Sequence, residues 1–236
     1  MLPYDSLMMI KCITFDLDDT LWACAPALQN AEKKCYQWLQ RYYPKITAKY
    51  TESQLFESRQ QYMHNHSEQI FNLTQIRLNW LAWLANEFSY PSQLVEDAFQ
   101  VFWLARNEVT LFDDALESLE QLSANFSLGV ISNGNADVNH IGIGQYFDFS
   151  VNVVDAGVAK PDPQIFQHAL GLAKCKAEET LHIGDHPDFD VLGALNAGLH
   201  AIWYNPTQKD WLAEKKPTAI IQSLNEIGMK LDRLGC

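Results

Sequence analysis

Positive charge is scarce in this 236-residue chain, where 17 Lys and Arg stand against 29 Asp and Glu for a formal net charge of −12. Nucleic acid and anionic membrane are not expected as main partners, because nothing supplies a basic footprint. An anionic small molecule would need positive charge placed locally. Long apolar runs are also missing, and no stretch approaches the roughly eighteen residues of a membrane span. Five cysteines (Cys12, Cys24, Cys35, Cys175, Cys236) show no CxxC and no zinc-like spacing, and their odd number suits reduced thiols. No basic segment precedes the brief apolar patch at 7–10, so a cytoplasmic protein is expected. The N-x-S/T triplets at Asn72 and Asn125 are then accidents of composition. There is no internal repeat and no low-complexity segment. What is present is an ordinary globular composition, 47% hydrophobic and 19% charged, on a chain long enough to bury a full core.

The stretch from Cys12 to Trp22 organises the rest. Residues 10–15 form a short, mostly apolar run rich in β-branched side chains, read as a buried strand that ends abruptly in Asp16, Asp18 and Asp19. At roughly 4 Å and an effective dielectric of about 20, two like charges repel by about 4 kcal/mol. Ionised Asp16 and Asp18 sharing a site therefore need a cation or a proton between them. Hard oxygen donors suit Mg²⁺. Asp18-Asp19-Thr20 could instead cap a turn, whereas Asp16 at the carboxyl end of a parallel strand would be placed as a nucleophile.

Helical spacing follows: 26–43 closed by Pro44, a polar amphipathic helix over 51–66, an apolar one over 73–88, and a fourth over 91–107. Four helices without a strand make a bundle. From Leu111 the pattern alternates, with helices at 113–124, 163–173 and 189–197 and strands at 127–132, 149–153, 181–184 and 201–204. Such alternation implies right-handed crossovers and a mainly parallel sheet. The expected architecture is an α/β core over 1–22 and 108–236, interrupted by a helical insertion over 23–107 that leaves beside Asp16 and is placed to act as a lid.

Three further constellations lie at or beyond strand ends. Ser132-Asn133-Gly134-Asn135 offers a hydroxyl and glycine-freed backbone N–H groups of the kind that cradle anions, although Asn-Gly is commonly a simple turn. Lys160, in Ala159-Lys160-Pro161-Asp162-Pro163, is either a solvated lysine or a fixed positive charge for a phosphate. Strand 181–184 runs into Asp185, a natural second metal ligand, with Asp188 or Asp190 as a helix cap or an outer carboxylate; His186 reads as structural.

Taken in order, DxDxT, Ser, Lys and GDxxxxD resemble the haloacid dehalogenase-like (HAD) hydrolase superfamily across essentially the whole chain. The segments FDLDDTL, ISNGN, AKPDPQIF and HIGDHPDFDV, with Trp203-Tyr204-Asn205-Pro206, look most like the bacterial flavin mononucleotide phosphatases. The resemblance implies a Rossmann-like parallel core with an inserted helical cap, and a Mg²⁺-dependent phosphomonoesterase acting on a small phosphometabolite. That metabolite would be flavin mononucleotide or 5-amino-6-(5-phospho-D-ribitylamino)uracil. It further implies that Asp16 forms an aspartyl-phosphate and that Asp18 serves as acid and then base. Ser132 and the Asn133 amide would hold phosphoryl oxygens, with Lys160 neutralising their charge. Mg²⁺ would sit among Asp16, the Asp18 carbonyl and Asp185, with Asp190 behind them.

Rival chemistries within the superfamily are 2-haloacid dehalogenation, which goes with a D-x-Y pattern that Asp18 breaks, and phosphoryl transfer between sugars. A non-enzymatic phosphate-binding protein would be free to lose Asp16 or Asp18, and both are present. In the cap, Trp80, Trp83, Trp103, Tyr62 and Arg77 are candidates to stack on a planar ring, but Ile76, Trp80 and Leu84 recur at core spacing. Trp22 is a candidate to line the cleft, while His64 and His66 read as surface residues.

Overall fold

The computed structural model describes residues 9–66 and 72–234; half of the 7–10 patch and Cys236 lie outside them. In chain order, β1 (Cys12–Phe15) precedes five helices: α1 (Cys24–Tyr42), α2 (Pro44–Lys49), α3 (Glu52–Asn65), α4 (Leu73–Glu87) and α5 (Gln93–Arg106). Next come α6 (Ala115–Ser123), β2 (Ser127–Ser132), α7 (Val138–Ile141), β3 (Phe149–Asn152), α8 (Val153–Ala156), α9 (Pro163–Ala173) and β4 (Thr180–Gly184). The remainder is α10 (Gly193–Asn196), β5 (His200–Tyr204), β6 (Ala219–Ile221) and α11 (Glu226–Leu234). Among the described residues no helix is long and apolar enough to cross a membrane.

The chain divides into two compact units. The first comprises Met1–Ala23, Thr110–Asn133 and Gly142–Cys236. Its centre is a wholly parallel six-stranded sheet in the order β3-β2-β1-β4-β5-β6. Counted along the sheet this is 3-2-1-4-5-6, the doubly wound order in which ligands bind at the carboxyl ends of the strands where the winding reverses. β1 is the innermost strand and all four of its residues are buried. The two passages into and out of the helical segment are tied together in this unit, since Phe112 N donates to Leu21 O (2.9 Å) and Trp22 bridges Leu111.

The second unit is Cys24–Val109 with Gly134–Ile141. Its core sets Ala31, Cys35 and Leu39 of α1 against Trp80 and Leu84 of α4 and Phe102 of α5. The helix starts follow from local chemistry. Thr51 and Gln54 form a reciprocal capping box before α3, and Asn72 Oδ1 accepts from Gln75 N (2.9 Å) before α4. Five helices stand where four were expected. α1 ends at Tyr42, just before Pro44, and Pro44 also opens α2 from the first helical position, where its missing N–H costs nothing.

A second difference concerns 187–197, expected as one helix starting at Phe189. Residues Pro187–Leu192 form a wide π-type turn in which His186 O accepts from both Asp190 N (3.1 Å) and Val191 N (3.3 Å), and only Gly193–Asn196 is α-helical. Such wide turns recur at functional sites because they re-aim a side chain. The one re-aimed here is Asp190, whose Oδ2 bends back to accept from His186 N (2.9 Å).

Candidate active site

Three adjacent parallel strands deliver the site. Phe15 is in register with Val130 of β2 and Ile183 of β4, so Asp16, Ser132 and Asp185 emerge from the same edge of the sheet. Asp16 N still pairs with Ile183 O (2.9 Å), which holds the first carboxylate at the last rung of the ladder. Lys160 arrives from the connection between α8 and α9. Asn133 anchors it, its Nδ2 donating to Lys160 O (3.0 Å) while its Oδ1 accepts from Lys160 N (2.7 Å). The loop beyond β2 therefore fixes the lysine backbone, a role of the Asn133 side chain that its place in an Asn-Gly pair did not signal.

The lysine is not solvated. Its side chain is 2% exposed, and Nζ donates to Asp16 Oδ1 (2.5 Å), Ile131 O (2.6 Å) and Asp190 Oδ1 (2.7 Å). An ammonium has three donors, and all three are used. Burial works against the charge, but Asp16 and Asp190 outweigh it and hold the Lys160 pKa above its ordinary value. Asp190 is pulled down, its own burial overcome by Lys160 and His182. Asp16 is pushed well up, by burial first, with Asp190 and Asp18 adding to it and Lys160 opposing.

Asp16, Asp185 and Asp190 each present an oxygen, all within 4.8 Å of one another. Burial, then Asp190 and Asp19, raise Asp185 to about 7. Fully ionised, three carboxylates face one ammonium, an excess of two negative charges that a divalent cation would balance with hard oxygen donors. The residues thus fit a divalent metal. Asp16 and Asp185 would be the carboxylates to hold it, because Asp190 has Oδ1 on Lys160 and Oδ2 on the backbone of His186. Asp190 is buried and Asp188 exposed, which separates the two outer candidates.

Asp18 is half-buried and its Oδ1 accepts from Trp22 Nε1 (2.9 Å). Asp19 takes a positive φ of 60°, tolerable for aspartate, and lets the turn close with Leu21 N on Leu17 O (2.8 Å). Trp22, the candidate to line the cleft, is completely buried and spends its indole N–H on Asp18.

Other groups were missed. His182 sits wholly buried on β4 between Thr14 and Asp190, and Trp203 Nε1 donates to Asp185 O (2.7 Å), fixing the backbone of the second ligand. His186 caps the wide turn, with Nδ1 accepting from Asp188 N and Phe189 N (both 3.2 Å). In the second unit, Ile76, Trp80 and Leu84 are core, while Arg77 is buried against Glu32 with its guanidinium 3.4 Å from the Phe102 ring centre. Trp103 Nε1 donates to Asn135 O (3.0 Å) and Trp83 is 37% exposed. His64 and His66 are exposed.

This geometry agrees with what comparison with known proteins finds. A family model for haloacid dehalogenase-like hydrolases matches residues 10–198, and the chain belongs to that family. Among characterised relatives, the 5-amino-6-(5-phospho-D-ribitylamino)uracil phosphatase YigB of Escherichia coli K12 is 29% identical over 88% of each chain. A glyceraldehyde 3-phosphate phosphatase of Pyrococcus abyssi is 26% identical over 83% of this chain and 82% of its own. Among solved structures, a 2-haloacid dehalogenase from Pseudomonas syringae pv. Tomato DC3000 superposes with a TM-score of 0.88 at 40% identity, covering 95% of this chain and 99% of that one.

Proposed function

We propose that this hydrolase is a Mg²⁺-dependent phosphomonoesterase of the cytoplasm that works through an aspartyl-phosphate on Asp16. The observation that carries the reading is the Lys160 ammonium seated on Asp16 while Asp185 and Asp190 gather within 4.8 Å. A nucleophilic carboxylate held in that way is oriented and flanked by charge complementary to a phosphoryl group.

In this reading Asp16 attacks phosphorus in line with the departing oxygen, and the P–O bond to the alcohol breaks as the new bond forms. Asp18, aimed by Trp22, gives its proton to the leaving alkoxide. It then takes a proton from the water that attacks the aspartyl-phosphate, which returns Asp16 and releases inorganic phosphate. Ser132 and the Asn133 backbone N–H hold phosphoryl oxygens, and Lys160 offsets their charge. Mg²⁺ would be held by Asp16, the Asp18 carbonyl and Asp185, and would supply neutralisation of the phosphoryl oxygens. Uncatalysed phosphate monoester hydrolysis calls for acceleration of up to roughly 10²¹-fold, and most of that must come from positioning and charge stabilisation.

The substrate is a small phosphorylated metabolite. Flavin mononucleotide and 5-amino-6-(5-phospho-D-ribitylamino)uracil are the first candidates, supported by the similarity to the E. coli enzyme over 88% of the chain. The resemblance to the Pseudomonas syringae dehalogenase structure supports a second reading, carbon–halogen cleavage by the same Asp16. Asp18 and the lysine-bound carboxylate pair favour phosphorus, since displacement at a carbon–halogen bond needs no proton for its leaving group. Thiols at Cys12, Cys35 and Cys175 that form no disulfide support a reducing compartment.

The test is phosphate release, with and without Mg²⁺, from the two flavin-pathway esters, sugar phosphates, glyceraldehyde 3-phosphate and nucleotides, alongside halide release from 2-haloacids. Metal-dependent phosphate release that disappears in Asp16→Asn, with the fold intact, is the expected result. Undiminished release from Asp16→Asn would sink the mechanism, and halide release without phosphate release would hand the site to the second reading.

A further inference from the structure

β4 carries a side chain that the proposed chemistry does not use and that the packing nevertheless treats as indispensable. His182 is fully buried, in register with Thr14 of β1, and edge-on to Phe166 with ring centres 5.4 Å apart. Each ring nitrogen has a polar partner, Nδ1 facing Thr14 Oγ1 at 2.9 Å and Nε2 facing Asp190 Oδ1 at 3.4 Å.

The partners decide the tautomer. A bare Nε2 would turn its lone pair on the Asp190 carboxylate, and two acceptors facing one another in a buried site are repulsive. Nε2 therefore carries the hydrogen and Nδ1 accepts, which requires the Thr14 hydroxyl to donate to the ring at 2.9 Å in preference to Leu181 O at 3.4 Å. The chain of donors then runs in one direction, from Thr14 to His182 to Asp190. Asp190 receives on both oxygens, from His182 and Lys160 on Oδ1 and from His186 N on Oδ2. Gly184 completes the seat, since a Cβ there would lie 2.4 Å from Asp190 Cγ.

We infer that His182 is a positioning residue: through a fixed Nε2–H tautomer it holds Asp190, Asp190 holds the Lys160 ammonium, and the ammonium holds the attacking oxygen of Asp16. The inference rests on the reading of Asp16 as nucleophile. It adds that the reactive carboxylate is aimed by a donor chain reaching back through β4 to Thr14, and that the neutral imidazole works as an oriented dipole. Residues that orient the partners of a metal site behave in this way, and their loss costs about 10- to 100-fold in activity.

The experiment has one arm on turnover and one independent of it. In the first, kcat and KM are measured for His182→Leu, His182→Gln, Asp190→Asn and His182→Leu/Asp190→Asn, using whichever phosphate ester the wild type hydrolyses. His182→Leu is expected to lower kcat about tenfold with KM within about twofold, and His182→Gln, which keeps a donor at the Nε2 position, to recover most of the loss. In the Asp190→Asn background, the second substitution should cost less than about twofold, because a residue acting through Asp190 has nothing left to act on. An undiminished tenfold loss in that background, or an unchanged kcat in His182→Leu, would overturn the proposal.

The second arm records the ¹⁵N resonances of the His182 ring in the wild type and in Thr14→Val. An Nε2–H imidazole in the wild type, with the tautomer balance shifted in Thr14→Val, supports the donor chain; an Nδ1–H ring in the wild type refutes it. This arm decides the matter even where His182→Leu fails to fold, and it stands apart from the functional reading, whose own failure shows as turnover surviving in Asp16→Asn.

Discussion

Replacing Lys160 by Met keeps the volume and removes the ammonium, so it isolates what that charge does. The side chain is 2% exposed and its Nζ serves Asp16, Asp190 and the Ile131 carbonyl within 2.7 Å. Removing one partner of a buried ion pair costs about 3–5 kcal/mol, because the charge left behind is uncompensated. In a protein of this size, each kcal/mol moves the melting temperature by about 2–4 °C, so the variant should melt roughly 6–20 °C lower. The pH dependence is the sharper test. Without the lysine, both carboxylates meet burial and each other: Asp16, already raised, goes up further, and Asp190 loses the partner that held it down, so both folded pKa values lie above the unfolded ones. Groups raised in this way bind more protons folded than unfolded, so the variant's stability falls as pH rises. Urea unfolding in EDTA at pH 5 and pH 8 should therefore show a deficit that is largest at pH 8 and smaller at pH 5, with phosphate release reduced by at least about 10³-fold. Equal midpoints for the two proteins at pH 8, or a deficit that grows on acidification, would show that Lys160 does not carry the charge balance described.

Two further outcomes follow from other contacts. In the helical unit, Glu32 accepts from Arg77 (2.6 Å) and pairs with Arg59 (3.0 Å); its burial is outweighed by Arg77 and then Arg59, which hold it below its ordinary value of 4.5. Glu32→Gln should cost about 2–3 kcal/mol at pH 7. A depressed carboxylate stabilises above its unfolded pKa and loses that contribution as pH falls through the folded one, so the gap between wild type and variant should narrow as pH falls below 4.5 in urea titrations. A constant gap from pH 7 to pH 3 would count against the pairing. Gly184→Ala places a methyl group 2.4 Å from Asp190 Cγ, and it should lower stability by about 1–3 kcal/mol while reducing turnover. A variant as stable and active as wild type would mean that Asp190 is not held as described.

The parts of this molecule that were legible in the sequence are those whose signal is local. Apolar runs ending in carboxylates marked β1 and β4, and Pro163 behind Asp162 marked the start of α9, where Asp162 Oδ1 accepts from Gln164 N (2.9 Å). The charged residues at strand ends, Asp16, Lys160 and Asp185 with Asp190, are ones the fold brings together. What was not legible depends on partners distant in the chain. His182 lies between Leu181 and Ile183 and reads as one polar residue in an apolar strand; only the β1–β4 register sets it beside Thr14. A clue was available in the alternation, since Thr14 and Asp16 share one face of β1, and His182 and Gly184 share one face of β4. That Trp22 Nε1 would be spent on Asp18 was not legible either, because that bond depends on the turn between them. The wide turn at 187–192 was invisible because its cause is the side chain of Asp190 reaching for the backbone of His186.

The place of β1 bears on how the protein is made. Cys12 pairs with Ser127 on one side and Thr180 on the other, so the first strand to leave a ribosome waits for both neighbours until well over a hundred further residues have followed. At about 5–20 residues per second that interval is roughly ten seconds or more. Throughout it, a wholly buried strand of the sheet has two unpaired edges, while the helices translated next assemble from contacts near in sequence, which form far faster. Nascent chains are expected to pass through a stage in which α1 to α5 have formed while β1 is still unpaired, and that stage is where a holdase chaperone would have something to protect.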